Sequence, residues 1–475
     1  MEFEPVIGLE VHVQLNTQSK LFCSCPTNFG AVPNTHVCPV CLGHPGVLPV
    51  LNKQAMENAI KCGLALNCSI SLFSKFDRKN YFYPDLPKGY QVSQFDKPLC
   101  HKGHVTIVDT GVEKIIGVTR VHLEEDAGKL VHAAHGADSG VDFNRGGIPL
   151  LEIVSEPDIR TPDEAYLYLT ALKAIVEYLG ISDCNMEEGS LRCDANVSIR
   201  PKGQKQFGTK TEIKNMNSFR GVQKAISYEI ERQKDVILSG EKIVQETRLW
   251  NDDKGSTFSM RSKEDAHDYR YFPEPDLVPM VVEQKYIDTL RENLPELPFP
   301  RMHRFIEQYG LPEYDADILT GDKAFADYYE QCASVCSEYK MISNWMLSDL
   351  IREAGARKIS FADAPVTPKM LAEMISLISN GTISGKIAKI VFIEMFDSGK
   401  TPSKIIEEKG LVQISNPEEL QKVISNVVAQ HPAVVAEFKA GKEKSIGFLV
   451  GQIMKETKGK ANPQLVNTLL REALG

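Results

Sequence analysis

Ile7-Gly8-Leu9-Glu10-Val11-His12-Val13-Gln14-Leu15 alternates without a break: every odd position is aliphatic, and the even positions carry Glu10, His12 and Gln14. A side-chain period of two is that of a β-strand, so the odd face is expected in a core and the even face on the other side of a sheet. Side chains two apart on one strand face stand roughly 7 Å apart, a spacing at which a carboxylate and an imidazole can share a hydrated metal or a phosphate. The first strand therefore gives both the fold and the start of a site.

The same logic extends along the chain. Ser190 to Arg200 alternates throughout, placing Asp194 on one face with Arg192 and Asn196, and Lys210, Glu212 and Lys214 share the even face of the strand expected next. In Ile148-Pro149-Leu150-Leu151-Glu152-Ile153-Val154, Glu152 is the sole charge. Burying an unpaired carboxylate is costly, so a partner or a metal is expected there. His122-Leu123-Glu124-Glu125-Asp126 ends another strand on consecutive carboxylates, which repel unless a cation is present. Any one of these acids alone is satisfied by solvent or a salt bridge. Their recurrence with a single early histidine suits Mg²⁺, which prefers carboxylate, water and phosphate. Mg²⁺ with phosphate implies nucleotide chemistry, yet Gly381-Thr382-Ile383-Ser384-Gly385-Lys386-Ile387 is a residue short of a phosphate-binding P-loop and lacks its closing Ser or Thr. Kinase signatures of the H-R-D and D-F-G type are absent as well.

Cys23-x-Cys25 and, after twelve residues, Cys38-x-x-Cys41 supply two close thiol pairs, the arrangement of a tetrahedral zinc site. His36 and His44 are spare, because four cysteines complete the shell and make such a zinc structural. The chain has 475 residues, too many for one ordinary core, and its 42% hydrophobic and 25% charged residues exclude disorder. A formal charge of −9 argues against a generally basic nucleic-acid binder, although it permits a local basic patch. No apolar run approaches the roughly 20 residues that cross a bilayer, and Met1-Glu2-Phe3-Glu4 does not open a signal peptide, so a cytoplasmic protein with reduced thiols is expected.

Helical periodicity over Asp163 to Leu179 and Val222 to Val236, set between strands, makes the first part α+β. Leu294-Pro295-Glu296-Leu297-Pro298-Phe299-Pro300 is read as a linker, because proline removes a donor and biases its predecessor toward extended backbone. Beyond it helical spacing dominates, with breaks near Pro365 to Pro368 and Pro402. The expected domains are 1–293, a helical domain over 294–405 and a helical tail over 406–475. In the tail, Ile446, Leu449, Val450, Ile453 and Met454 form a packing face, while Lys442, Lys444, Lys455, Lys458 and Lys460 crowd its ends, as a phosphate-contacting helix would. Gly447 and Gly451 suggest close approach of another backbone.

Asp142-Phe143-Asn144-Arg145-Gly146-Gly147-Ile148-Pro149-Leu150-Leu151-Glu152-Ile153-Val154-Ser155-Glu156-Pro157-Asp158 closely resembles the signature of the GatB family, the B subunits of bacterial aspartyl/glutamyl-tRNA amidotransferases. So do Val6 to His12, Lys79 to Asp85, Glu187 to Asp194, Asp268 to Asp276, and the ending from Ile446 to Gln452 through Asn462-Pro463-Gln464, so the resemblance spans the chain. It implies a mainly antiparallel, cradle-like sheet domain followed by helical and tRNA-binding tail domains. It also implies a heterotrimer with an amidase A subunit and a small C subunit. In that assembly the B subunit uses ATP and Mg²⁺ to phosphorylate the side-chain carboxylate of mischarged Glu-tRNA(Gln) or Asp-tRNA(Asn), and ammonia from glutamine then displaces phosphate. The metal ligands carried over are Glu10, His12, Glu125, Glu152, Asp194 and Glu212, the choice of Glu125 over Glu124 resting on the resemblance alone. Lys79 and Lys88, with Tyr81 nearby, become candidates for neutralising phosphate or guiding ammonia, and the cysteine quartet matches a zinc motif present in some members. No serine-lysine amidase stretch is found, Met1 is not an N-terminal cysteine, and parity buries Cys193, so ammonia is expected from a partner. A tRNA-presenting scaffold without catalysis is the alternative.

Overall fold

The computed structural model describes residues 2–132, 139–260, 269–412, 416–457 and 460–475. Three of the residues named above, Met1, Asp268 and Lys458, lie outside that set. The chain divides into two compact units, Met1–Phe299 and Pro300–Gly475.

The first unit is built on a nine-stranded sheet. Its strands are β1 (Phe3–Gln14), β2 (Ser69–Ile70), β3 (Cys100–Asp109), β4 (Val112–Glu125), β5 (Pro149–Ser155), β6 (Leu191–Pro201), β7 (Thr211–Lys214), β8 (Thr247–Asn251) and β9 (Ser256–Ser259). The spatial order is β9-β8-β7-β6-β1-β5-β4-β3-β2, antiparallel except for the β7–β8 pair. The most regular sequence thus takes the middle: β1 is flanked by β5 and β6, both buried, and every odd position from Ile7 to Val13 is solvent-free.

The helices α1 (Lys53–Ala65), α2 (Pro162–Tyr178) and α3 (Phe219–Leu238) cover that odd face, where Leu169, Leu172, Val222 and Ile226 join Leu9, Val11, Leu151 and Val197 in one core. Their starts are chemically specified. Thr161 caps α2 by accepting from the Glu164 N–H, with Pro162 in the first turn, and Ser218 does the same for α3 through Gly221. With one face covered by helices, the polar even positions remain on the other. A second sheet of three strands, Asp77–Asn80, Tyr90–Ser93 and Arg270–Pro273, meets the end of β4 there, the Val92 N–H and the Ser93 hydroxyl reaching the side chains of Glu125 and Glu124.

The expected linker is partly helical. Pro298 to Pro300 form the first turn of the helix Pro298–Tyr309, where no backbone N–H is needed and proline is tolerated. Likewise Pro402 starts a helix, Pro402–Lys409, whose Ile405 and Ile406 are buried, so position 405 falls inside an element and not between modules. In the second unit, Leu449 and Ile453 pack with Leu420, Ile424, Val427, Val466 and Leu470, flanked by Ile446, Val450 and Met454 as the spacing predicts. A Cβ at Gly447 or Gly451 meets nothing within 4 Å, so neither glycine admits a close backbone among the described residues.

Candidate active site and metal centres

Sheet register lines up the chemistry. Arg192, His12, Glu152 and His122 stand opposite one another across β6, β1, β5 and β4, and Glu10 stands opposite Asp194 in the next row. The His12 Nε2 atom lies 3.4 Å from Glu124 Oε1, 3.5 Å from Glu152 Oε2 and 3.7 Å from Glu10 Oε1. The buried His122 Nε2 is 3.8 Å from Glu152 Oε2 and 3.9 Å from Glu124 Oε2, and its Nδ1 has no hydrogen-bond partner among the described residues. Arg120 approaches the far Glu152 oxygen at 3.4 Å.

Electrostatics follows from this crowding. Burial alone would push the His12 imidazole down, but hydrogen bonds to Glu124 and Glu152 hold it up at about 10. Burial drives His122 the other way, only partly offset by Glu152 and Glu124. Glu152 is held below the usual carboxylate range, since the fields of His122, His12 and Lys79 outweigh its burial, whereas burial and the Glu152 carboxylate push Glu10 up. The cluster thus carries a proton where a cation would serve equally well. Convergent carboxylate oxygens and imidazole nitrogens are a donor set that fits a hard divalent ion. A cation ligated by His12 has to displace its proton, so Mg²⁺ binding is expected to tighten from about pH 6 to about pH 8 and to release protons. Titration calorimetry in buffers of differing ionisation enthalpy reads that release; heats independent of the buffer would exclude His12 as a ligand.

Of the six expected ligands, the structure brings Glu10, His12 and Glu152 together. Asp194 and Glu212 share the face but are engaged by Lys214, which pairs with Asp194 and lies 3.1 Å from Glu212. Glu125 is not in the cluster. Strand alternation turns it from the face that carries His122 and Glu124, and its carboxylate takes an ion pair from Lys88 and the Val92 N–H at 2.9 Å. Glu124 occupies the place expected of Glu125, and counting parity from His122 selects it.

Lys79 does face the acids: burial pulls its ammonium down, but the fields of Glu124 and Glu152 keep it charged. It stands 4.8 Å above the Tyr269 ring, against which Tyr81 packs edge-on at 5.3 Å. Lys88 belongs instead to the Glu125 side, over the Tyr90 ring at 5.2 Å. A further group that sequence reasoning left unassigned is Asp126, buried, receiving Gln14 Nε2 at 2.6 Å and Arg192 at 2.9 Å, both of which line a cleft of about 1380 Å³.

The second centre is the cysteine quartet. One Sγ from each of Cys23, Cys25, Cys38 and Cys41 lies within 4.8 Å of the others, with no disulfide among them. Tetrahedral zinc–thiolate bonds of about 2.3 Å put sulfurs about 3.8 Å apart, so the quartet fits that ion. The hydrogen bond from Cys23 holds the Cys41 thiol well below its ordinary range, at about 4, helped by the Lys20 ammonium. Cys193 is fully buried and pushed far up, an inert thiol.

Residues 5–288 match the protein family described as the GatB/GatE catalytic domain, and residues 327–474 match the GatB domain. The chain is similar over its whole length to curated proteins named as the B subunit of aspartyl/glutamyl-tRNA(Asn/Gln) amidotransferase. That of Carboxydothermus hydrogenoformans is 59% identical over 476 residues, covering 100% of this chain and 99% of the relative. Those of Thermoanaerobacter pseudethanolicus and Brevibacillus brevis are 59% and 58% identical, covering 100% of this chain and 100% and 99% of their own.

Proposed function

Because the chain belongs to the GatB family, we propose that it is the B subunit of a glutamine-dependent aspartyl/glutamyl-tRNA amidotransferase and performs the ATP-consuming activation of the mischarged amino acid. A carboxylate is a poor electrophile. In this reading a side-chain oxygen of tRNA-linked Glu or Asp attacks the γ-phosphorus of ATP, ADP leaves with the bonding pair, ammonia adds to the acyl phosphate carbon, and phosphate departs. The product is an amide, and the class is that of a carbon–nitrogen ligase with glutamine as amide donor.

The observation that carries the reading is the single sheet face on which Glu10, His12, Glu124 and Glu152 converge opposite Lys79. Mg²⁺ held by those residues, with Asp194 and Glu212 beside them, would offset the repulsion between nucleotide phosphates and the attacking carboxylate. Lys79 adds a fixed positive charge for phosphate, its ammonium over the Tyr269 ring against which Tyr81 packs. The cleft beside Asp126 seats the aminoacyl end of the tRNA, with Arg192 on its wall. With Cys193 inert, ammonia comes from an amidase A subunit that assembles with this chain and a small C subunit. Lys88 and Glu125 line the way to the site, and a structural zinc at the cysteine quartet holds the loop beside them. The tail after Lys409 meets tRNA phosphates through Lys442, Lys444 and Lys455, all exposed. Such chemistry belongs in the cytoplasm, beside the ribosome.

The Lys214 ion pairs favour a second reading for one corner of the site, in which Asp194 and Glu212 are structural and the protein presents tRNA without catalysis. Asp194→Ala separates the two. In the reconstituted heterotrimer with Mg²⁺ and mischarged tRNA, ADP formation is expected to drop by about 10²-fold, with assembly and melting temperature near wild type. Unchanged ADP formation in a correctly assembled variant would assign that corner to the scaffold.

A further inference from the structure

Among the described residues Lys20 is the most deeply buried lysine, 1% exposed. Its ammonium meets the Phe143 carbonyl oxygen at 3.1 Å and Cys41 Sγ at 3.8 Å. Its counter-charge therefore comes from sulfur and not from a carboxylate. A neutral thiol supplies none, and a buried ammonium facing only neutral groups is strongly disfavoured. Four thiolates around one divalent ion leave a net dianion, a larger counter-charge for this lysine than the Cys41 sulfur offers alone.

The same loop forms the wall of another group. Gly43, at φ +69, lies so close to Lys88 that a Cβ there would stand 2.5 Å from Lys88 Cγ and 3.3 Å from its Cα. A Cβ on Gly147, at φ +86, would touch Lys20 Cδ at 3.4 Å, Cys41 Cβ at 3.6 Å and Glu125 Oε2 at 3.9 Å. Lys20, Cys23, Cys41, Gly43, Lys88 and Glu125 thus line one cavity of about 290 Å³. Side chains of the cysteine loop and of the Lys88–Glu125 pair share a boundary with no spare layer between them.

We propose that Lys20 is a positioning residue that completes the charge of the metal-loaded cysteine quartet, and that the loaded quartet fixes the cavity wall holding Lys88 against Glu125. What the Lys88–Glu125 pair does for ammonia rests on the function proposed above. The linkage from metal to Lys88 does not.

Two measurements on the full chain test it, neither of which reads catalysis, so the function and the linkage can fail separately. In the first, zinc release to a chromogenic chelator is followed for wild type and Lys20→Met, both checked for native circular dichroism. The variant is expected to hold zinc roughly 10–100-fold more weakly. A folded variant with wild-type retention overturns the role of Lys20. In the second, zinc-loaded and zinc-stripped wild type are reductively methylated and modification of Lys88 is quantified by peptide mass spectrometry against the exposed Lys242. Labelling of Lys88 is expected to rise at least about fivefold on stripping, as a wall that loosens locally exposes its amine. Equal labelling in both states overturns the linkage to Lys88, and where Lys20→Met does not fold, Lys20→Gln reads the role of Lys20 in the same chelator assay.

Discussion

Glu152→Gln is expected to lower tRNA-dependent ADP formation by roughly 10²–10³-fold, the range for removing one preorganised electrostatic group, while leaving assembly with the partner proteins intact. Glu152 is the hinge of the site because the register sets it between His12 and His122, with Arg120 on its second oxygen. The amide keeps the shape and removes the charge. Its effect on stability has a sign fixed by His12, whose raised pKa contributes stability that is complete below the unfolded value near 6.5 and is lost as pH rises through about 10. In metal-free buffer the gap in melting temperature between wild type and variant should therefore be widest near pH 6 and shrink toward pH 10. A gap that widens with pH would show that another group dominates.

Glu229→Ala should cost the first unit about 3–5 kcal/mol, the penalty for removing one partner of a buried ionic network. Glu229 is completely buried on α3. One oxygen accepts from the Thr211 hydroxyl at 2.7 Å, Gln233 at 3.0 Å and Arg232 at 2.6 Å, and the other from Arg232 at 3.0 Å and Thr257 at 3.2 Å. Arg248 adds a charge at 3.5 Å. This carboxylate fastens α3 to β7, β8 and β9, and so holds the strand that carries Glu212 and Lys214. Although burial opposes it, those bonds keep Glu229 below its ordinary range, so its contribution is present above the unfolded pKa and is lost as pH falls through the depressed folded one. Denaturant unfolding at neutral pH is the check, and a loss under about 1 kcal/mol would mean that the network rearranges around the gap.

How much of this is legible in the sequence depends on the range of the interaction. β1 and β6 can be read because alternation is local, and the parity that buries Ile7, Leu9 and Val11 also fixes where Glu10 and His12 point. The pairing of Glu152 with two histidines is legible only as a need for some partner, since register between β1 and β5 joins residues far apart in sequence. Glu125 stands outside the cluster because strand alternation from His122 places Glu124 on that face, whereas the choice of Glu125 rests on the resemblance alone. The Glu229 network leaves no trace, because Thr211, Arg232, Arg248 and Thr257 carry no common periodicity. Proline misleads twice: at Pro298 and Pro402 it opens helices, where the sequence reads as linker and break.

The central place of β1 has a consequence for the ribosome. Its neighbours β5 and β6 are made up to Pro201, so at about 5–20 residues per second the first strand waits roughly 10–40 s, apolar on one face, before it is paired on both edges. Its long-range pairing makes folding of the unit slow and leaves an exposed edge meanwhile. A nascent chain of this topology should depend on chaperones that shield hydrophobic strands during synthesis. Slowing translation upstream of Leu191 should increase aggregation more than slowing it beyond Lys214.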